Sequence, residues 1–413
     1  RYISVTGVQT CALPISSTAL RRVAGAQLNN AEAQERAKLD DLKRDHPGSP
    51  PRAMALNDVE KPKDSYVMVR GEPNNRGPIV KRRWLEILGG SDDKAFKTGS
   101  GRLDLANEVA SKDNPLTARV FVNRLWKQFF GTGLSKVLDD MGAQGEPPVN
   151  AALLDWLACE FRDSGWDVKH MVRTIVTSAT YRQTSVATKE QQARDPYNRE
   201  LARQSRWRLD AELVRDNALS VAGLLTLKIG GPSSKPYQPD GYWENLNFPV
   251  RSYDASKGED QFRRGLYTWW QRSFLHPSML AFDAPSREEC AAERNRSNIP
   301  QQALVLLNDP TYVESARAFA ARIVQEANGD ATARIAWAWK QALARAPRPD
   351  ELATARALFD KHLAQYQADP KAAESLLKVG IAPLPEAAAQ PELAAWTSVA
   401  RVILNLHETI TRS

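Results

Sequence analysis

NPLTARVFVNRLWKQFFG, residues 114–131, is the stretch that decides the fold class. Asn114 and Pro115 are typical of a helix start and Gly131 of a helix end, and the apolar side chains between them recur every three or four residues. That spacing places them on one face of an amphipathic helix. The residues of this face are Ala118, Val122, Leu125, Trp126, Phe129 and Phe130. The stretch therefore predicts a helix that packs against other helices.

The same pattern recurs along the chain and predicts a mainly α protein. Asn150 is placed to cap a second amphipathic helix that ends at Gly165, and a third is expected over 168–181. Asn298 and Asp309 are expected to cap two later helices. Apolar spacing predicts these and other helices at 208–225, 299–307, 311–325, 332–345, 350–367 and 392–406. Helices joined by short connections pack as a bundle, so we expect a helical bundle.

A long loop, residues 226–263, interrupts this pattern with many glycine, proline and aromatic residues. Loops of this length inside a compact domain are usually functional or disordered, and aromatic rings favour docking over disorder. The rings belong to Tyr237, Tyr242, Trp243 and Phe248. We expect the loop to lie over a polar helix face. The following segment, 265–274, has the composition of a strand, and we expect a short β ribbon near 66–70 and 265–274.

Composition excludes several classes of protein. The chain has 413 residues, of which 42% are hydrophobic and 25% charged, and it has no apolar run of the roughly 18 residues that a membrane span needs. Lys and Arg total 56 against 49 Asp and Glu, a small surplus that does not predict nucleic-acid binding. We expect an N-terminally truncated fragment in which residues 1–20 are not native. A charged helix and linker follow at 21–64, and a helical domain covers 65–413, with a further boundary near 226–263.

The segment RLDAELVRD, residues 208–216, concentrates charge on one short helix. Arg208 and Arg215 lie one turn away from Glu212, whereas Glu212 and Asp216 are like charges four residues apart. Two uses of these charges remain open. They can form an ion-pair network that ties the helix to its neighbours, or a polar pocket in which crowding raises the pKa of one carboxyl and makes it a general acid or base.

A second polar set lies in FDAPSREEC (282–290) and SNIPQQALVLLND (297–309). Arg287 and Gln302 stand beside strongly apolar residues, and an unpaired polar group costs about 1 to 3 kcal/mol when it is buried. We therefore expect them to meet Asp283, Glu212 or Asp216. The candidate catalytic residues are Glu212, Asp216 and Asp283. The candidate substrate-binding residues are Arg208, Arg215, Arg287, Gln302, Asn123, Arg124 and Trp243.

No metal site is predicted. The five histidines lie in unrelated segments, and Asp139 with Asp140 offers too few oxygen ligands for a hard cation. Hydrolase, P-loop and dinucleotide-binding motifs are absent from the sequence. Cys159 and Cys290 lack the spacing of a zinc or redox pair, and we expect two separate, buried thiols.

Nine ordered blocks resemble one family, a planctomycete domain of unknown function called PSD-one. They are RGEPNNRG (70–77), NRLWKQFFGTGL (123–134), LLDWLACEF (153–161), SATYRQTS (178–185), RWRLDAELVRD (206–216), FDAPSREEC (282–290), SNIPQQALVLLND (297–309), RAPRPDEL (345–352) and LNLHETITR (404–412). The resemblance implies an exported protein of the periplasm or cell envelope, whose activity is unknown. It also implies an upstream cytochrome c domain that would carry haem, so no cofactor is expected in this fragment.

Two functions are open. The first is the binding or processing of a polysaccharide-like or polyol substrate in a cleft of Arg, Glu and Asp side chains, because aromatic rings stack on sugar faces and carboxylates can act as acid and base. The alternative is a non-catalytic scaffold that docks the upstream cytochrome c domain to a partner. Nucleic acid and a membrane span are not expected.

Overall fold

The structure is a computed structural model that describes residues 30–31, 33–43, 46, 48, 55–243, 252–272, 274–385 and 389–412. Phe248 and the segment 1–20 lie outside these residues. The predicted fold class is confirmed, because the described chain is mainly helical with two small antiparallel sheets. The chain divides into two compact units, Arg1–Glu108 and Val109–Ser413. No helix in the described ranges has the length and apolar character to cross a membrane.

In chain order, the helices are α1 (33–43), α2 (Arg102–Val109), α3 (Thr117–Phe130), α4 (Ala151–Asp163), α5 (Val168–Thr177), α6 (Lys189–Arg194), α7 (Ala211–Ala222), α8 (Pro277–Ala281), α9 (Pro300–Asn308), α10 (Pro310–Glu326), α11 (Ala331–Leu343), α12 (Pro349–Ala368), α13 (Pro370–Leu377) and α14 (Gln390–Leu404). The strands are β1 (Ser65–Met68), β2 (Arg76–Val80), β3 (Trp207–Arg208) and β4 (Thr411–Arg412).

The first unit contains a β-hairpin whose second strand the sequence did not predict. β1 lies where a strand was expected, but its partner is β2, in register Ser65↔Val80 and Met68↔Arg76. The expected partner segment, 265–274, is not a strand: Gly265–Tyr267 is a 3₁₀ turn. Trp269 and Phe274 of that segment pack in a ring cluster rather than in a sheet, and composition alone cannot distinguish the two outcomes.

In the second unit, α3, α4 and α5 share one apolar core. Val122, Trp126 and Phe130 of α3 face Phe161 of α4 and Met171 of α5, and all are buried. The residues are those of the predicted helix faces. Asn150 caps α4 as expected, since its side chain accepts a hydrogen bond from Leu153 N at 3.0 Å.

A second core surrounds α10 and α14. Phe319 and Trp396 at its centre are fully buried, and α7, α11, α12 and α13 pack around them. Asp309 caps α10 as predicted, through Thr311 N at 2.9 Å. The prediction that Asn298 caps α9 was wrong: Ile299 is the N-cap residue, and the Asn298 side chain binds an arginine instead.

The aromatic side chains of the long loop pack against one another and against the segment that follows it. Trp243 stacks on Tyr253, with ring centroids 5.7 Å apart, and contacts Trp269 and Phe274. The Tyr242 ring also packs on Phe274, at 4.4 Å. The described rings of the loop are therefore docked, as expected.

The two cysteines outside the N-terminal segment are free. Cys159 and Cys290 are both exposed, so the expectation of buried thiols was wrong. Each side chain faces solvent. The cysteine spacing in the sequence argues against a disulfide or a metal site, but it does not indicate whether a free thiol is buried or exposed.

Candidate functional site

The two polar segments that the sequence singled out meet in the structure. β3 pairs with β4, and this short sheet presents the Arg208 guanidinium to the loop before α9. Arg208 donates hydrogen bonds to Ser297 O at 3.0 Å, to Asn298 Oδ1 at 3.0 Å and to Gln302 Oε1. Gln302 is buried and donates in turn to Ser297 O. Groups about ninety residues apart in sequence are thus joined directly.

Glu212, in the first turn of α7, is the second point of contact. Its carboxylate accepts two hydrogen bonds from Arg294, at 2.7 and 3.3 Å, and lies 3.7 Å from Arg287. The Glu212 side chain is only 13% exposed. Two guanidinium groups therefore surround one poorly solvated carboxylate, and their charge compensates for the water that it has lost.

Asp283 and Arg287 adopt a backbone conformation that is rare outside glycine. Their φ angles are +60° and +64°. Asp283 accepts hydrogen bonds from Ser297 N at 2.7 Å and from Ser297 Oγ, and the Arg287 guanidinium lies 4.0 Å from the centre of the Trp270 ring. Left-handed backbone at non-glycine residues costs free energy, so surrounding contacts must hold it. The Asp283–Ser297 hydrogen bonds close the 283–297 loop, and the contacts of Glu212 with Arg287 and Arg294 hold this loop on α7.

Arg215 and Asp216 lie further along α7, where they hold the end of the long loop. The Arg215 guanidinium is 1% exposed and donates to Arg263 O and Gln261 O, both at 2.6 Å. Asp216 accepts a hydrogen bond from Gly265 N at 2.5 Å, and burial raises the pKa of its carboxyl. A Cβ on Gly265 would come within 2.8 Å of the Glu212 backbone, so the loop packs directly on α7.

The remaining predicted residues lie elsewhere. Asn123 is fully buried, and its amide bonds both Ser135 O (2.9 Å) and Ser135 N (3.0 Å), which leaves no atom open to a ligand. Arg124 is exposed on the other side of the same helix turn. Trp243 is buried among aromatic rings and donates its indole N–H to Gln238. We call Glu212, Arg208, Gln302, Arg294 and Arg287 the Glu212 cluster. The structure does not bring Asn123, Arg124 or Trp243 to this cluster.

Two clefts flank the β3 strand, and neither was predicted from the sequence. We call them the polar cleft, with a volume of about 710 Å³, and the basic cleft, with a volume of about 630 Å³. The polar cleft is lined by Gln192, Tyr197, Asn198, Gln204, Arg206 and Trp207, among others. The basic cleft is lined by Arg206, Trp207, Arg208, Arg345, Arg348 and His407, together with Glu408 and Thr411.

A signal for both clefts does exist in the sequence. RQSRWR, residues 203–208, places three arginines around one tryptophan. In the structure, Arg206 and Trp207 line both clefts, and Arg208 lines the basic cleft. The segment RAPRP (345–349) lines the basic cleft together with RQSRWR, but the two are far apart in the sequence. Their proximity therefore could not be predicted from a local pattern. Among the described residues, no group of three or more His, Cys, Asp and Glu side chains could hold a metal ion.

Comparison with protein families identifies the chain. Residues 101–359, well over half of its length, match PSD1, described as "Protein of unknown function (DUF1553)". The chain belongs to the PSD1 family. The part that matches PSD1 contains both polar segments and all residues of the polar cleft, whereas His407, Glu408 and Thr411 of the basic cleft lie beyond it. Comparisons with curated proteins and with solved structures found no match.

Proposed function

We propose that this protein is a ligand-binding domain of the cell envelope that takes a polysaccharide-like or polyol ligand in the polar cleft. The observation that carries the proposal is Tyr197, a residue that is 85% exposed at the edge of a cleft lined by amides, hydroxyls and arginines. An exposed ring beside convergent hydrogen-bonding groups is what a sugar needs, because its C–H face stacks on the ring while its hydroxyls are bound from the side.

Trp207 supports the cleft from below rather than acting as a second platform. One side of its ring lies against Gly131, where a Cβ would approach within 2.9 Å. The Arg412 guanidinium lies 5.0 Å from the centre of the same ring and also hydrogen-bonds the Tyr181 hydroxyl. These contacts give the floor of the cleft a fixed position. A rigid floor favours binding, because less freedom is lost when the ligand is bound.

The Glu212 cluster serves as a structural connection in this proposal. Glu212, Arg208 and Gln302 are satisfied by partners within the protein, and of these three only Arg208 lines a cleft. Substrate binding at the Glu212 carboxylate would have to displace Arg294. From the sequence, this cluster was expected to bind the substrate. Because its polar groups are already paired, we propose that the polar cleft binds the ligand instead.

Replacement of Tyr197 by alanine is expected to weaken oligosaccharide binding about tenfold, because it removes a stacking interaction of about 1 kcal/mol and its apolar contact area. The measurement is calorimetric titration of the wild type and Y197A with neutral hexasaccharides of glucose, xylose and mannose. Trp156→Ala is the matched control, because Trp156 is 52% exposed on α4 and does not line the cleft. Absence of saturable binding to every hexasaccharide in the wild type contradicts the proposal.

Replacement of Glu212 by glutamine is expected to lower the free energy of unfolding by about 2 kcal/mol. The amide keeps the size of the side chain but removes the charge that Arg294 binds at 2.7 Å and that lies 3.7 Å from Arg287, at a position where the Glu212 side chain is only 13% exposed. Arg294 then keeps only the more distant Asp210, at 3.8 Å, among its ion-pair partners in the described residues. Chemical denaturation measures the loss, and hexasaccharide affinity should stay within about twofold of the wild type. Unchanged stability together with lost binding would place Glu212 in a ligand site instead, as an acid–base role requires.

A second candidate function is a non-catalytic scaffold that docks an upstream cytochrome c domain to a partner. It is favoured by the closed pairing of the Glu212 cluster, which ties α7 to the 283–302 segment without leaving a reactive group open. Sedimentation of this chain with a separately expressed cytochrome c domain of the parent protein tests it. A complex at micromolar concentration supports the scaffold, and its absence alongside hexasaccharide binding supports the ligand-binding domain.

A further inference from the structure

The basic cleft carries an excess of positive charge. The saccharide or polyol ligand proposed for the polar cleft gives no reason for this charge. Arg206, Arg208, Arg345 and Arg348 line it, and Glu408 is the carboxylate among its lining residues. Glu351 lies behind the wall and binds Arg345 and Arg348. Asp350 is 77% exposed and lies 3.6 Å from Arg348, so water screens much of its charge. Positive charge remains after these carboxylates are counted against the four guanidinium groups.

Arg345 contributes charge but has no hydrogen-bond donor to spare. Its Nε and one terminal nitrogen donate to Glu408 at 2.8 and 2.6 Å, and the terminal nitrogens also donate to Glu351, both at 2.8 Å. The remaining N–H group binds Ala346 O at 3.0 Å. These bonds keep both carboxylates ionised, and the Arg345 guanidinium lowers the pKa of Glu351 to about 2. The pairing fixes the wall of the cleft.

Arg206 and Arg348 are the exposed arginines of the basic cleft, and both have donors available. Arg206 uses its Nε in a 3.1 Å hydrogen bond to Ser185 Oγ, and its two terminal nitrogens have no partner among the described residues. It also has no carboxylate within ion-pair distance in the described part of the chain. Arg348 pairs through one terminal nitrogen with Glu351 at 2.7 Å, and its side chain is 65% exposed. Both guanidinium groups are therefore accessible from the cleft.

We infer that the basic cleft binds an oxyanion, namely a carboxylate, sulfate or phosphate group, between Arg206 and Arg348. A guanidinium group presents two parallel N–H donors to such a group, which gives short, charge-assisted hydrogen bonds. Arg345 adds positive charge from a fixed position because its donors are used within the protein, and Arg208 does so because three hydrogen bonds hold its terminal nitrogens. Four guanidinium groups that line one cleft raise the local positive potential, which attracts an anion.

The inference extends to the ligand of the polar cleft, and this extension alone rests on the proposed function. Arg206 and Trp207 line both clefts. A saccharide held beside Tyr197 can place an anionic substituent in the basic cleft, so an acidic oligosaccharide should bind more tightly than a neutral one of the same length. Binding of an inorganic anion does not depend on that extension.

The test is calorimetric titration of the intact chain with sodium sulfate, sodium phosphate and sodium succinate, at constant ionic strength set by sodium chloride. We expect saturable binding of at least one of them, and the ranking identifies the group that the cleft prefers. The double variant R206Q/R348Q should weaken that binding at least about tenfold. Both residues lie at the surface, so circular dichroism and Tm should show a folded protein; the single variant R206Q gives the same comparison if the double variant is unstable.

Arg356→Gln is the matched control, because Arg356 lies on α12, whose N-cap residue is Arg348, pairs with Asp360 and does not line the cleft. It should change anion affinity less than about twofold. The inference is overturned by absence of saturable binding to all three anions, by unchanged affinity in R206Q/R348Q, or by an equal loss in R356Q, which would indicate a general charge effect. Failure of the neutral hexasaccharides to bind leaves this result unaffected, so the two proposals fail separately.

Discussion

Replacement of Arg215 by alanine is expected to lower the free energy of unfolding by about 4 kcal/mol, the largest effect that we predict for a single substitution. The side chain is almost completely buried on α7, and its two terminal nitrogens bind the carbonyl oxygens of Arg263 and Gln261. Alanine leaves both carbonyls without a donor and creates a cavity where the guanidinium lay. Urea denaturation measures the loss.

Arg215→Met separates the two causes. Methionine fills most of the volume but donates no hydrogen bond, so R215M should recover about a third to a half of the loss. Hydrogen exchange should also show faster opening of residues 261–265 in both variants, since the guanidinium connects the backbone of this segment to α7 beside the Asp216–Gly265 hydrogen bond. A loss below about 1 kcal/mol in R215A would mean that water replaces the guanidinium and that the loop is held by other contacts.

His276 is expected to make stability depend on pH. The imidazole is buried, its Nε2 donates to Tyr237 O at 2.9 Å, and its Nδ1 accepts from Ser278 Oγ at 2.9 Å. Burial, with a smaller contribution from the positive charge of Arg215, lowers its pKa from 6.5 to about 4. The folded protein therefore holds a neutral ring at pH values where an unfolded chain already binds the proton.

The sign of the effect follows from proton binding. Between pH 6.5 and pH 4 the unfolded state binds more protons than the folded state, so stability is complete above pH 6.5 and falls as the pH drops towards 4. The total loss from this group is about 3 kcal/mol. Asp216 and Asp309 act in the opposite direction, because burial raises the pKa of both carboxyls and acidification then favours the folded state.

A comparison of variants isolates His276 from these carboxyls. His276→Gln is expected to be less stable than the wild type at neutral pH but to lose less stability on acidification to the folded-state pKa of about 4, because the amide does not titrate. Ser278→Ala removes a hydrogen bond and keeps the imidazole, so its pH slope should remain close to that of the wild type. Equal slopes in H276Q and the wild type would contradict the prediction, because they would show that the ring takes up its proton at the same pH in the folded and unfolded states.

The sequence was sufficient for the helices of nine or more residues in the second unit, because their signals are local, whereas the shorter helices α2, α6, α8 and α13 were not predicted. The apolar spacing of α3 and the caps Asn150 and Asp309 each depend on residues within a few positions of one another. The expected meeting of the 208–216 and 283–302 segments came from a general constraint, since buried polar groups must be paired. That constraint says that partners exist, but it does not say that Glu212 takes Arg294 and that Arg208 takes Gln302.

Local patterns determined which segments are helical and which of their faces are buried, because a helix is stabilised by hydrogen bonds and side-chain spacing within one stretch of chain. Tertiary structure decided where the clefts that can admit a ligand are formed. The basic cleft exists because β3 pairs with β4, near the end of the chain, and brings Arg206 and Arg208 to Arg345 and Arg348. A cleft between segments that are distant in the sequence produces no pattern of residue spacing in any one of them, so it cannot be predicted from local patterns.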